Sequence, residues 1–130
     1  MNVKVAAIQD VRWPKTGERE FRAVDPIAGT SFKYHIYYSA GVNAERGVGF
    51  VLIGKQMKRV IRWRPISDRI CALRIKGKFF NYSLINVYAP TNDKPNEKKE
   101  EFYELLEKTY NECSGHVALA TKKKNWYPKA

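Results

Sequence analysis

Arg69-Ile70-Cys71-Ala72-Leu73-Arg74-Ile75-Lys76-Gly77-Lys78-Phe79-Phe80-Asn81-Tyr82-Ser83-Leu84-Ile85-Asn86-Val87-Tyr88-Ala89-Pro90-Thr91 reads as two strands joined by a turn. In its first part the apolar Cys71, Leu73 and Ile75 alternate with Arg74 and Lys76, the period of two expected of a half-buried strand. Lys76-Gly77-Lys78 is a short linker centred on glycine, which predicts a tight hairpin. The returning strand, 79–88, differs. Phe80, Tyr82, Leu84 and Tyr88 fall on one of its faces, Phe79, Ile85 and Val87 on the other. A strand apolar on both faces is covered on both, so the pair belongs to a layered sandwich rather than an open sheet.

Upstream, the segments 34–39, 48–53 and 59–64 are rich in Val, Ile, Tyr and Phe and are separated by Gly, Asn, Pro or Asp, so they read as further strands. Downstream, Phe102, Leu105, Leu106, Thr109 and Cys113 recur at spacings of three and four, which predicts a helix over 97–112. Asn96 is its candidate N-cap, Glu97, Glu100 and Glu101 suit the positive end of its dipole, and Ser114-Gly115 is the stop signal. A short strand over 117–120 follows. The basic tail 122–130 has neither period and is expected to be loose or to dock through Trp126 alone. The domain therefore spans 1–121 and the tail 122–130.

The 24 Lys and Arg against 13 Asp and Glu leave a formal charge of +11 on 130 residues. The excess is uneven: residues 1–90 hold 16 basic and 6 acidic side chains, 91–112 hold 4 and 7, and 113–130 hold 4 and none. Such a surface attracts polyanions, chiefly nucleic acid. No run approaches the roughly 18 apolar residues of a membrane span, and the start of the chain meets Gln9 too early for a signal peptide. Cys71 and Cys113 are far apart and have no metal-ligand spacing around His35 or His116, so neither a disulfide framework nor a zinc site is expected. These features point to an intracellular protein, nuclear or cytoplasmic, with no membrane partner.

Ala6-Ala7-Ile8-Gln9-Asp10-Val11-Arg12-Trp13-Pro14, Arg46-Gly47-Val48-Gly49-Phe50 and the 69–91 stretch occur in that order. Together they resemble the endonuclease/exonuclease/phosphatase superfamily. More narrowly, they resemble the apurinic-endonuclease-like domain of non-LTR retrotransposons and the craniofacial-development-protein-like cellular proteins that carry the same domain. The resemblance runs from about residue 5 to about residue 119. It implies an α/β fold: a partial two-sheet sandwich, the first half of the family fold, mostly antiparallel with one clear helix. In active members it also implies Mg²⁺-dependent cleavage of a phosphodiester bond.

In that family a Gln-Glu pair ends an early strand and its Glu binds the metal. The matching positions are Gln9 and Asp10, so Asp10 is the candidate Mg²⁺ ligand, one methylene shorter than the family's residue; the alternative is an exposed carboxylate beside Arg12. The family's Asn-x-Tyr-x-Pro segment matches Asn86-Val87-Tyr88-Ala89-Pro90, so Asn86 and Tyr88 are the candidate catalytic positions. Tyr88 is a phosphate donor in that reading and a core side chain in the other. Active members then carry a strand ending Gly-Asp-Phe-Asn, where this chain reads Val117-Ala118-Leu119-Ala120-Thr121-Lys122-Lys123-Lys124-Asn125. A metal-site Asn would lie before Met1 and a Ser-Asp-His segment beyond Ala130.

With the general base and most phosphate donors missing, the expectation is a truncated, catalytically inactive endonuclease-like domain with weak or no Mg²⁺ binding. The alternatives are a Mg²⁺-dependent nuclease completed by a homodimer or partner protein, and an interaction module or inhibitor of full-length relatives. A half sandwich would leave an apolar face, so a homodimer or partner protein is expected to cover it. Lys55, Lys58, Arg59, Arg62 and Arg64, interleaved with Trp63, are the candidate nucleic-acid contacts, DNA before RNA. Their other reading is solubility and edge protection of a strand pair.

Overall fold

The computed structural model describes residues 5–9, 11, 13, 16–41, 47–91, 93–113, 115–120 and 126–128; for Lys55, Ala120 and 126–128 it describes the backbone alone. Among these residues the chain is mixed α/β, with two sheets and one α-helix.

The first sheet holds β1 (Val5–Gln9), β2 (Gly17–Val24), β3 (Ser31–Ala40) and β4 (Gly47–Ile53) in the order β1-β4-β3-β2, all antiparallel. The second holds β5 (Val60–Pro65), β6 (Ile70–Lys76), β7 (Asn81–Val87), β8 (His116–Ala120) and β9 (Trp126–Pro128) in sequence order. Only β7 and β8 run parallel. A parallel pair needs a long crossover, and α1 (Asn96–Glu112) supplies it.

Two cores follow from the alternation along β6 and β7. Cys71, Leu73 and Ile75 of β6, with Tyr82 and Leu84 of β7, face Val48, Phe50 and Leu52 of β4 and join the sheets. Ile70, Ala72, Ile85 and Val87, on the opposite faces, meet Phe102, Leu105, Leu106 and Tyr110 of α1 and Cys113 just past its end. Burying a side chain such as Phe102 is worth about 2–3 kcal/mol. Cys71 is fully buried between the sheets, and the loss of solvent pushes its thiol pKa well above the ordinary value.

The other face of the first sheet is different. Register places Phe21, Tyr34 and Ile53 side by side there, and likewise Ile36 and Val51. Phe21 and Tyr34 stack at 5.2 Å, Trp13 lies 5.9 Å from Phe21 and 4.9 Å from Tyr38, and the Arg19 guanidinium sits 4.8 Å over Trp13. Trp13 covers the Tyr38 end of this face, where Tyr38 is buried, whereas Phe32 and Ile53 stay exposed.

Five expectations need correction. β6 is buried on both faces along most of its length, because α1 covers the side that bears Ile70 and Ala72. Phe79 and Phe80 belong to the turn, which runs from Gly77 to Phe80, closes through the Gly77 N–H donating to the Phe80 carbonyl (3.1 Å), and is wider than a tight hairpin. Only glycine fits at position 77, since a Cβ would lie 2.3 Å from that carbonyl. Asn96 is the first helical residue; Pro95 holds the cap position, with no side-chain cap bond. The tail contributes β9, antiparallel to β8. Finally, β2 is an additional strand, and Gly54–Arg59 forms a 3-10 turn, so Lys58 and Arg59 precede β5 rather than lie on it. Among the described residues no helix is long and apolar enough to cross a membrane.

Candidate nucleic-acid interface

The end of β7 is built around one buried amide. Asn86 is 0% exposed, as its place between the sheets dictates. Its Nδ2 donates to the Ile8 carbonyl of β1 (2.7 Å) and the Gly49 carbonyl of β4 (2.8 Å). Its Oδ1 accepts from Gln9 Nε2 (3.2 Å), which also donates to the Val87 carbonyl (2.9 Å). Three strands from both sheets are thus tied through two amide side chains. Gly49 is itself fixed by its neighbour β3, since a Cβ there would stand 2.2 Å from the Tyr37 carbonyl. Leaving any of these buried groups unpaired would cost about 1–3 kcal/mol.

Tyr88 lies two residues beyond Asn86, and Arg69 holds it from both sides of the peptide. The Tyr88 N–H donates to the Arg69 carbonyl (2.8 Å), Arg69 Nη1 donates to the Tyr88 carbonyl (3.0 Å), and the guanidinium carbon lies 5.7 Å from the ring centroid. Ser67 in turn fixes Arg69: its Oγ accepts from the N–H groups of Arg69 and Ile70, both at 3.1 Å. A groove of about 360 Å³ opens beside this unit, lined by Ser67, Asp68, Arg69, Pro90, Lys94, Lys98, Glu101, Phe102 and Leu105. It sets three cations against two carboxylates.

Beyond the groove, Thr91 Oγ1 donates to Asp93, and that bond is the leading cause holding the Asp93 carboxyl below its ordinary pKa. β8 ends next to β7, with Ala120 in register with Asn86. Among the described residues no three His, Cys, Asp or Glu side chains come together as a metal site.

Gln9, Asn86 and Tyr88 are therefore brought together, and Asn86 acts there as an interior tie. Asp10 lies outside the described residues. The basic run 55–64 is divided. Lys58 and Arg59 sit in the 3-10 turn, whereas Arg62 and Arg64 lie on β5, Arg62 in register with Arg74. Arg64 Nη2 bonds Glu112 Oε2 (2.9 Å), and Arg74 Nη1 donates to Ser83 (2.7 Å). Trp63 points between the sheets, 5.4 Å from Tyr37 and 6.4 Å from Phe50, so its ring is part-buried against the core and not set among the arginines. The interleaving in the sequence is the two-sidedness of a strand. The side chain of Lys55 lies outside the described residues. Sequence reasoning missed Arg69, Lys94 and Lys98. The available signal was Arg69's position just ahead of the strand paired with β7.

The chain is similar to craniofacial development protein 2 of Tragulus javanicus, with 29% identity over 108 residues that cover 82% of this chain and 17% of that protein. It is also similar to the protein of the same name in Bos taurus, with 28% identity over 108 residues and the same coverage. The chain thus spans less than a fifth of the length of these relatives. No family model matches the chain, and no solved structure matches it.

Proposed function

We propose that this chain is an endonuclease-like domain that holds the DNA backbone at the Arg69–Tyr88 end of the sandwich and does not cut it. The observation that carries the reading is the locked Arg69–Tyr88 unit beside a groove with Lys94 and Lys98. Guanidinium and ammonium groups are the usual partners of phosphate oxygens, and a unit fixed by part-buried hydrogen bonds binds with less ordering cost.

Two features support the absence of cleavage. In the family that the sequence resembles, the strand equivalent to β8 leads into the Asp that activates water; here the residue beside Asn86 is Ala120. The amides of Gln9 and Asn86 are engaged in the interior, and Mg²⁺ prefers carboxylate oxygen. The described residues at this end therefore do not fit a Mg²⁺ site.

The test is a nicking assay on supercoiled and abasic-site DNA with Mg²⁺ or Mn²⁺, run beside a salt titration of duplex binding. The expected result is no nicking, together with a linear fall of log affinity against log salt. That slope should shrink by about 1.8 when Lys94→Gln and Lys98→Gln are combined. Nicking that disappears in Tyr88→Phe would refute the absence of cleavage; a slope unaffected by the two lysines would refute the groove.

A second reading concerns partners. The outer face of the first sheet, with Phe32 39% and Ile53 38% exposed, favours coverage by a second copy or another protein. Light scattering that gives a monomer at all concentrations would exclude the second copy.

A further inference from the structure

Opposite the Asn86 end, the second sheet terminates in a group of aromatic and basic side chains that the DNA-backbone reading does not use. Register aligns Val60, Ile75, Tyr82 and His116 in one row across β5 to β8. Just beyond that row come Lys58 before β5, Lys76 at the end of β6, and the Gly77–Phe80 turn. Phe79 is 84% exposed, with Lys78 Nζ 5.4 Å from its ring centroid. Phe80 is 43% exposed and stacks on His116 at 3.7 Å and 23°, with Tyr82 against its edge at 5.1 Å. Gly77 fixes the turn by its close approach to Phe80, so the rings are presented from a held backbone.

A phenylalanine this exposed gains little burial from the fold. We infer that the β6–β7 turn is a stacking platform for the unpaired bases of single-stranded nucleic acid, with Phe79 as the first stacking surface and Lys76, Lys78 and Lys58 along the phosphates. Every base offers a π-face and every linkage a negative charge, which matches rings and ammonium groups in alternation. A duplex hides its base faces and would meet the lysines alone. This platform lies about 20 Å from Asn86, the length of β7, and is independent of the duplex groove.

The experiment is fluorescence anisotropy of the full chain with a labelled 12-nucleotide oligo-dT, beside an abasic oligomer of the same length and charge. The oligo-dT is expected to bind 5- to 150-fold more tightly than the abasic backbone, on the order of one stacked base. Phe79→Ala should remove that difference while leaving the salt slope unchanged. Lys76→Gln combined with Lys78→Gln should lower the slope by about 1.4 and keep the preference for bases. Because Phe79 is so exposed, its variant retains the wild-type melting temperature, which separates lost stacking from lost folding. Lys94→Gln with Lys98→Gln should leave oligo-dT binding intact. Equal affinity for the two oligomers, or oligo-dT binding unaltered in folded Phe79→Ala, would overturn the platform.

Discussion

The hairpins β6–β7 and β2–β3 are both antiparallel, yet they are held by different physics. In β6–β7 each face meets another layer, so Leu73 and Ile85 lose all exposure. In β2–β3 the outer face carries half-buried rings that rest on their cross-strand neighbours and on Trp13. The first pair is stabilised by burial, the second by lateral pairs worth about 0.2–1 kcal/mol each. The groups that gather at Asn86 and Tyr88 are carried by the buried pair, and such a scaffold holds a binding geometry with little motion.

Substitutions along the two hairpins test this difference. The largest effect is expected at Asn86→Ala, which strands the carbonyls of Ile8 and Gly49 in the interior. Urea unfolding should give a loss of about 3 kcal/mol, accompanied by weaker duplex binding as Tyr88 loosens. Phe21→Ala, on the open face, should cost only about 1 kcal/mol. A loss equal to that of Asn86→Ala would mean that something covers the face in solution, and the contrast would fail.

The smallest effect concerns pH. Burial, and then the charge of Glu18, raise the Tyr37 pKa above 10 in the folded chain. Tyrosine in the unfolded chain ionises near 10, so this contribution is intact below that pH and is lost as pH rises through the folded value. Alkaline unfolding should therefore move to higher pH in Tyr37→Phe.

The buried pair was also the readable one. The span of β6 and the two-sided covering of β7 follow from apolar spacing, and the 97–112 periodicity meets α1 within one residue. β2 reads Gly-Glu-Arg-Glu-Phe-Arg-Ala-Val, whose charges suppress any strand period. Its pairing comes from β3, so propensity alone is silent there. Trp63 misled in a different way, since adjacent residues in a strand face opposite directions. The tie made by Asn86 joins residues 77 and 37 positions away, a separation that no local pattern encodes.

Cys71 carries one more consequence. Its thiol is sealed between the sheets and held protonated, and thiolate is the form that reacts with alkylating agents. Modification there must wait until the two sheets part, so the rate at which this sulfur is trapped becomes a clock for the opening of the sandwich. The molecule thus contains its own reporter of how often its interior breathes.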